Sequence, residues 1–179
     1  GLVLRGGGGD GVRLGSLADG RYQASVLPGA YEVYYDNPTP DASGAPLNSA
    51  GRLRAIEIRA DGALDIDVPV VKLRGVVQSG QRPLVGARLR LISSDGQGAV
   101  PILTDADGRY EVAALPGTYD VYSDASVPLR RAVDLSADAT VDLSITMSRV
   151  RGRFTVAGAA PSGGGTLWLR LRQSGYMVA

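Results

Sequence analysis

Several residue groups in this chain have types and spacings that could do chemistry, and each meets a simpler reading. Asp105-Ala106-Asp107-Gly108 sets two carboxylates beside a turn, the start of an oxygen-ligand set for a hard cation such as calcium. The rest of a calcium loop does not follow, and the corresponding position in an earlier copy of the motif is Leu17, so Asp-Gly reads as a hairpin turn. Gly6-Gly7-Gly8-Gly9 lacks the Lys-Ser/Thr and the helix of a phosphate cradle and reads as a flexible hairpin loop. Lys72 is the single lysine. An isopeptide crosslink to Asn37 or Asn48 would need both partners on rigid strands, and both asparagines fall in a loop-like segment. Carboxylates can act as acid and base without histidine. Here Glu32, Glu57, Glu111 and the aspartates are scattered over strand faces and turns, and no pair stands out.

Composition narrows the chemistry further. The 179 residues include no His and no Cys, which removes the usual nucleophile–base dyads, zinc sites and disulfides. No catalytic, cofactor-binding or metal residue is assigned, and the chain is expected not to be an enzyme. Lys and Arg number 19 against 18 Asp and Glu, a net charge of +1 that argues against binding nucleic acid by bulk electrostatics. Arg88, Arg90, Arg130 and Arg131 read as outward guards against edge aggregation. Hydrophobic residues make up 44 %, enough for a core, and no apolar run reaches the roughly 18 residues of a membrane-spanning helix. The chain starts at Gly1 with no apolar leader, so it is expected to be processed or part of something longer.

Elements that could position such residues come in repeats. Ala18-Asp19-Gly20-Arg21-Tyr22 returns as Ala106-Asp107-Gly108-Arg109-Tyr110, and Leu27-Pro28-Gly29-Ala30-Tyr31 as Leu115-Pro116-Gly117-Thr118-Tyr119, both 88 positions later. Further on, Leu64-Asp65-Ile66-Asp67-Val68 returns as Val141-Asp142-Leu143-Ser144-Ile145, and Arg74-Gly75 as Arg151-Gly152, at an offset of 77. The first copy thus carries 11 extra residues within Asp36–Gly51, a Pro-, Gly-, Ser- and Asn-rich stretch expected to be a surface loop. Leu167-Trp168-Leu169-Arg170 repeats Leu2-Val3-Leu4-Arg5 at 165, so a third copy begins. The expected division is a β-repeat over 1–72 lacking its first strand, a complete repeat over 73–149, and opening strands of a third over 150–179.

Period-2 alternation makes these copies β. Thr140–Met147 alternates apolar and polar, as does Ala63–Val70 with Leu64, Ile66, Val68 and Val70 inward and Pro69 outward at an edge. Strands are expected near 73–78, 87–93, 99–104, 109–114, 118–124, 128–135 and 139–147, an all-β antiparallel sandwich. Gly20 and Gly108 suit turn positions with positive φ. Pro28-Gly29 and Pro116-Gly117 suit type II turns, and Tyr31, Val33, Tyr119 and Val121 point to the core.

Gly75-Val76-Val77, Pro83–Leu91, Thr104–Tyr110 and Leu115–Tyr122 together resemble the carboxypeptidase regulatory-like, or transthyretin-like, domains. The resemblance covers the middle copy and most of the first. It implies tandem seven-stranded Greek-key sandwiches, Ig-like in architecture, that space or present other domains on secreted and cell-surface proteins. The arginine-rich concatenation also looks like repeats of Gram-negative surface proteins, which implies a bacterial extracellular location.

Two functional expectations follow. The complementary ends suggest that Val150–Gly165 supplies the strand that the first copy lacks, either within the same chain or from a neighbour by head-to-tail assembly; the plainer alternative is a segment of a longer array with neighbouring repeats beside it. Leu2, Val3, Leu4, Val150, Phe154, Val156, Leu167, Trp168 and Leu169 are the candidate interface residues. The alternative is an adhesive module binding a glycan or a surface protein through Tyr34, Tyr35 and Tyr122 with the 36–51 loop, as exposed aromatics would allow.

Overall fold

The computed structural model describes residues 1–7, 11–15, 20–39, 44–95, 98–124, 126–146, 151–156 and 158–160, together with the backbone of 169–170 and 177–178. It is all-β. Strands β1 (Leu2–Gly6), β2 (Gly11–Leu14), β3 (Gly29–Tyr35) and β4 (Gly51–Ile58) form an antiparallel sheet in the order β2-β1-β3-β4. Strands β7 (Arg88–Ser93), β8 (Ala99–Leu103), β10 (Gly117–Ser123) and β11 (Pro128–Leu135) form a second sheet in the equivalent order β11-β10-β7-β8.

A further sheet is built around β5 (Val71–Ser79). It pairs antiparallel with β9 (Arg109–Ala114) and with the short β6 (Arg82–Pro83). It also pairs parallel with β12 (Ala139–Thr140) and β13 (Leu143–Ser144). This sheet faces β11-β10-β7-β8 across one core, in which Leu73, Val77, Leu91, Val100, Val121 and Leu135 are fully buried. The two layers make a β-sandwich, here called the central sandwich. A last short pair joins β14 (Leu169–Arg170) to β15 (Met177–Val178).

The expected strands of the middle copy lie where alternation put them, with one correction. The segment 139–147 is not one antiparallel strand but two short parallel ones, separated at Val141-Asp142. Its first-copy counterpart is corrected too: Ala63–Val70 forms no strand, although Leu64, Ile66 and Val68 keep the half-buried alternation. The Pro-Gly steps also differ from type II turns. Gly29 and Gly117 each open a strand directly, Gly117 at φ 159°, near extended backbone. Gly20 and Gly108 do take the left-handed conformation, at φ 80° and 72°.

A buried tyrosine ties the strands of the β5 sheet together. The hydroxyl of Tyr110 donates to the Val141 carbonyl at 2.6 Å, linking β9 to the segment across β5. Burial, with the negative charge of Asp142 nearby, raises its pKa from the ordinary 10.0 to about 12. The neutral phenol is therefore favoured by folding. Its stabilising contribution is complete below about pH 10 and is lost as pH climbs through about 12, because the unfolded chain sheds that proton first. A rise of that size is worth at most roughly 2–3 kcal/mol, reduced by solvent screening. Urea midpoints should fall over that interval in the native chain, and Tyr110→Phe should flatten the Tyr110 part of the fall.

Candidate functional site

The functional feature with the most built geometry is the contact between the N-terminal sheet and the central sandwich, formed by the loop joining β3 to β4. Its base is closed by Asn37 N–H donating to Asn48 O at 2.8 Å and Asn37 Nδ2 donating to Pro46 O at 3.2 Å. From this base the segment reaches across to the sandwich. Leu47 N–H donates to Ala113 O at 3.0 Å and Ser49 N–H to Ala99 O at 2.9 Å, while the Leu47 side chain packs on the sandwich core.

Asn48 sits at the centre, 1 % exposed. Its Nδ2 donates to the Tyr119 hydroxyl oxygen at 2.9 Å, and its Oδ1 accepts from Leu115 N–H at 2.7 Å. Tyr119 in turn donates to Leu115 O at 2.8 Å. The reason lies in the chain at Leu115-Pro116: the bend between β9 and β10 leaves Leu115 N–H without a ladder partner, and a buried donor must be satisfied. One amide side chain has both a donor and an acceptor, so a single asparagine closes the network. Burial raises the Tyr119 pKa and the Asn48 hydrogen bond opposes that rise, with Asp95 adding to it.

This corrects the expectation of a simple surface loop. The insertion's C-terminal part, with Pro46 and Asn48 fully buried, is the contact itself. Gly51 is part of the fit, since a Cβ there would stand 2.4 Å from Leu115 Cδ1. Sequence reading missed Asn48 because its segment has loop composition. The one available signal was Leu47 beside Asn48 in a stretch that the second copy lacks.

The tyrosines expected as a ligand platform are elsewhere. Tyr34 and Tyr35 are buried, 7 % and 8 % exposed, so they do not form an exposed aromatic surface. Alternation placed Tyr34 on the outer face of β3, but Arg5 of the neighbouring strand covers its ring, the guanidinium carbon 4.3 Å from the centroid. The Tyr34 hydroxyl donates to Glu32 at 2.8 Å; this bond, first, and Arg52 hold the Glu32 carboxyl below its ordinary range. Tyr122 is half-buried on β10, with Arg131 over its ring at 5.9 Å and bridged to Asp120 at 2.7 Å.

The remaining groups are likewise committed to structure. Asp105 Oδ1 accepts from the backbone amides of Asp107 at 2.9 Å and Arg109 at 2.8 Å, so it organises the turn. Lys72 and Arg74 both bridge Glu111, at 3.3 and 3.1 Å.

Of the expected interface residues, Leu2, Val3 and Leu4 lie in β1, which is paired on both sides, and Leu4 is buried in the core of its sheet. They are thus interior to a sheet and not at a free edge. Phe154 and Val156 are exposed, at 42 % and 58 %. Val150, Leu167 and Trp168 lie outside the described residues, as does the Leu169 side chain.

The N-terminal sheet repeats the sandwich's tyrosine bonds. Tyr31 donates to Leu27 O at 2.7 Å as Tyr119 does to Leu115 O, and Tyr22 donates to Leu64 O as Tyr110 does to Val141 O. Its core is thinner. Tyr22, Val26, Ile56, Ile58 and Ile66 are only partly buried around Leu4, Leu14 and Val33. Leu27 is 80 % exposed where Leu115 is 5 % exposed.

No family model matches the chain, and no curated protein matches it. Among solved structures, it is similar to a DUF3823 family protein from Parabacteroides merdae, at 19 % identity and a TM-score of 0.39, over 45 % of this chain and 47 % of that one. It is also similar to the Bacillus anthracis TIE protein, at 13 % identity and a TM-score of 0.36, over 81 % of this chain and 29 % of that one. The chain thus spans less than half the length of either.

Proposed function

We propose that the protein is a non-catalytic structural repeat chain that spaces or presents other domains, outside the cell or on a bacterial cell surface. The observation that carries this reading is the Asn48 contact, which buries a polar network between two β-layered bodies and so makes a stiff step rather than a flexible linker. Resemblance of the Thr104–Tyr110 and Leu115–Tyr122 motifs to carboxypeptidase regulatory-like, transthyretin-like domains supports the same role and the location. The pairing of Glu32, Glu111 and Asp105 with cations or backbone amides fits carboxylates used for architecture.

Residual dipolar couplings test the reading. Amides of β1–β4 and of β7–β11 should fit one alignment tensor, with Asn48→Ala splitting it in two. Two independent tensors in the native chain would remove the spacer role.

A further inference from the structure

The outer face of the N-terminal sheet, turned away from the core around Leu4 and Val33, holds an open hollow of about 880 Å³. Val3, Ala30 and Ala55 give it a shelf of small apolar side chains. Strand register brings two arginines to this face. Arg13 stands opposite Val3, and Arg5, two residues along β1, stands opposite Gly11. Diagonal positions of this kind lie roughly 7–8 Å apart, so both long side chains can converge on one group between them. Gly11 adds no side chain there, and a Cβ at that position would already stand 3.0 Å from Val3 Cγ1.

Neither arginine is strongly committed within the protein. Glu32 lies opposite Arg5 on β3, yet its carboxylate is engaged elsewhere: Oε2 accepts from the Tyr34 hydroxyl and Oε1 pairs with Arg52, each at 2.8 Å. Arg5 lies instead over the Tyr34 ring and makes no ion pair among the described residues. Arg13 is 83 % exposed and stands 3.7 Å from Asp36, whose other oxygen accepts from Ala50 N–H at 3.3 Å, so this bridge is worth little. Glu32 and Arg52 cancel, which leaves two positive charges against the one negative charge of Asp36.

The central sandwich lacks this pair at the equivalent positions. There Asp120 and Tyr122 stand for Glu32 and Tyr34, and Arg131 covers the Tyr122 ring while bridged to Asp120 at 2.7 Å. Ile92, opposite Asp120, has the place of Arg5, and Pro101, opposite Arg90, has the place of Arg13. Arg90 itself, in the place of Val3, is bonded to Ser126 at 2.8 Å.

We infer that this face binds a uronic acid unit of a glycan, with Arg5 and Arg13 forked onto the sugar carboxylate. Planar guanidinium groups match a carboxylate two bonds at a time. The one surplus positive charge suits a single carboxylate, whereas a phosphate dianion or an acidic peptide brings more negative charge than the hollow offsets. The sugar ring has the shelf of Val3, Ala30 and Ala55 to lie on, and Asp36 oxygens at the rim can accept from its hydroxyls. Tyr34 is a positioning residue, its ring fixing Arg5 from below. This binding role goes beyond that of a spacer.

Titration of the native chain with tri-galacturonate, followed by NMR through backbone amides and arginine Nε–H signals, tests the inference. Shifts should centre on Val3, Arg5, Gly11 and Arg13 and be absent with the fully methyl-esterified trimer, whose carboxyl groups carry no charge. Arg5→Gln and Arg13→Gln should each weaken binding about tenfold, through loss of charge-assisted bonds. Arg131→Gln should leave it unchanged. An ester that shifts the same signals equally would overturn the inference, as would a chain that responds to triglutamate and not to the trisaccharide, or to neither. The spacer reading stands or falls separately, on the alignment of whole sheets.

Discussion

Gly75→Val is expected to unfold the central sandwich or to cost at least about 3 kcal/mol, since the new side chain would collide with backbone and not with a movable side chain. The contact is inside the sheet: Val141 N–H donates to Arg74 O at 2.8 Å, and the Val141 carbonyl holds Tyr110. Relieving the clash would pull the 139–145 segment off β5 and break both. Leu143 would then lose its cover. Urea unfolding followed by tyrosine fluorescence measures the loss. A midpoint within the error of the native chain would mean that the strand and its neighbour are further apart than described.

Asn48→Leu is the second large effect, expected at roughly 3 kcal/mol. The substitution keeps approximate volume but leaves Leu115 N–H buried without an acceptor and removes a donor from the Tyr119 oxygen. An unsatisfied buried group costs about 1–3 kcal/mol, and the lost bonds add to it. Asn48→Asp separates the two halves of the network. Its carboxylate can still accept from Leu115 but cannot donate to Tyr119 unless protonated, so this variant should regain stability as pH falls. Equal losses in Leu and Asp variants at all pH values would mean that the amide acts only by filling space.

The fold was largely readable in the residues. Alternation in Arg88–Leu91 and the Leu115–Tyr122 motif placed β7 and β10 to within a residue, because both strands bury one face and expose the other. Direction was not readable: period 2 is the same for parallel and antiparallel partners, so the pairing of β12 and β13 with β5 had to come from the structure. The candidate site was readable only in part. Phe154 and Gly152 could be matched to β5 by offset, whereas Asn48 acts through residues about seventy positions away, which local composition does not report. Tyr34 failed for a related reason. Its face was right, but its cover is an arginine from another strand.

The parallel arrangement of β5 with β12 and β13 has a mechanical consequence. Tension applied along the chain would enter the sandwich at Val71 and leave after Ser144, pulling neighbouring parallel strands in opposite senses along their length. The cross-bonds from Lys72, Val76, Val141 and Ile145 would then be loaded together in shear instead of opening one at a time like a zipper. A sandwich pulled this way yields only when several bonds fail at once.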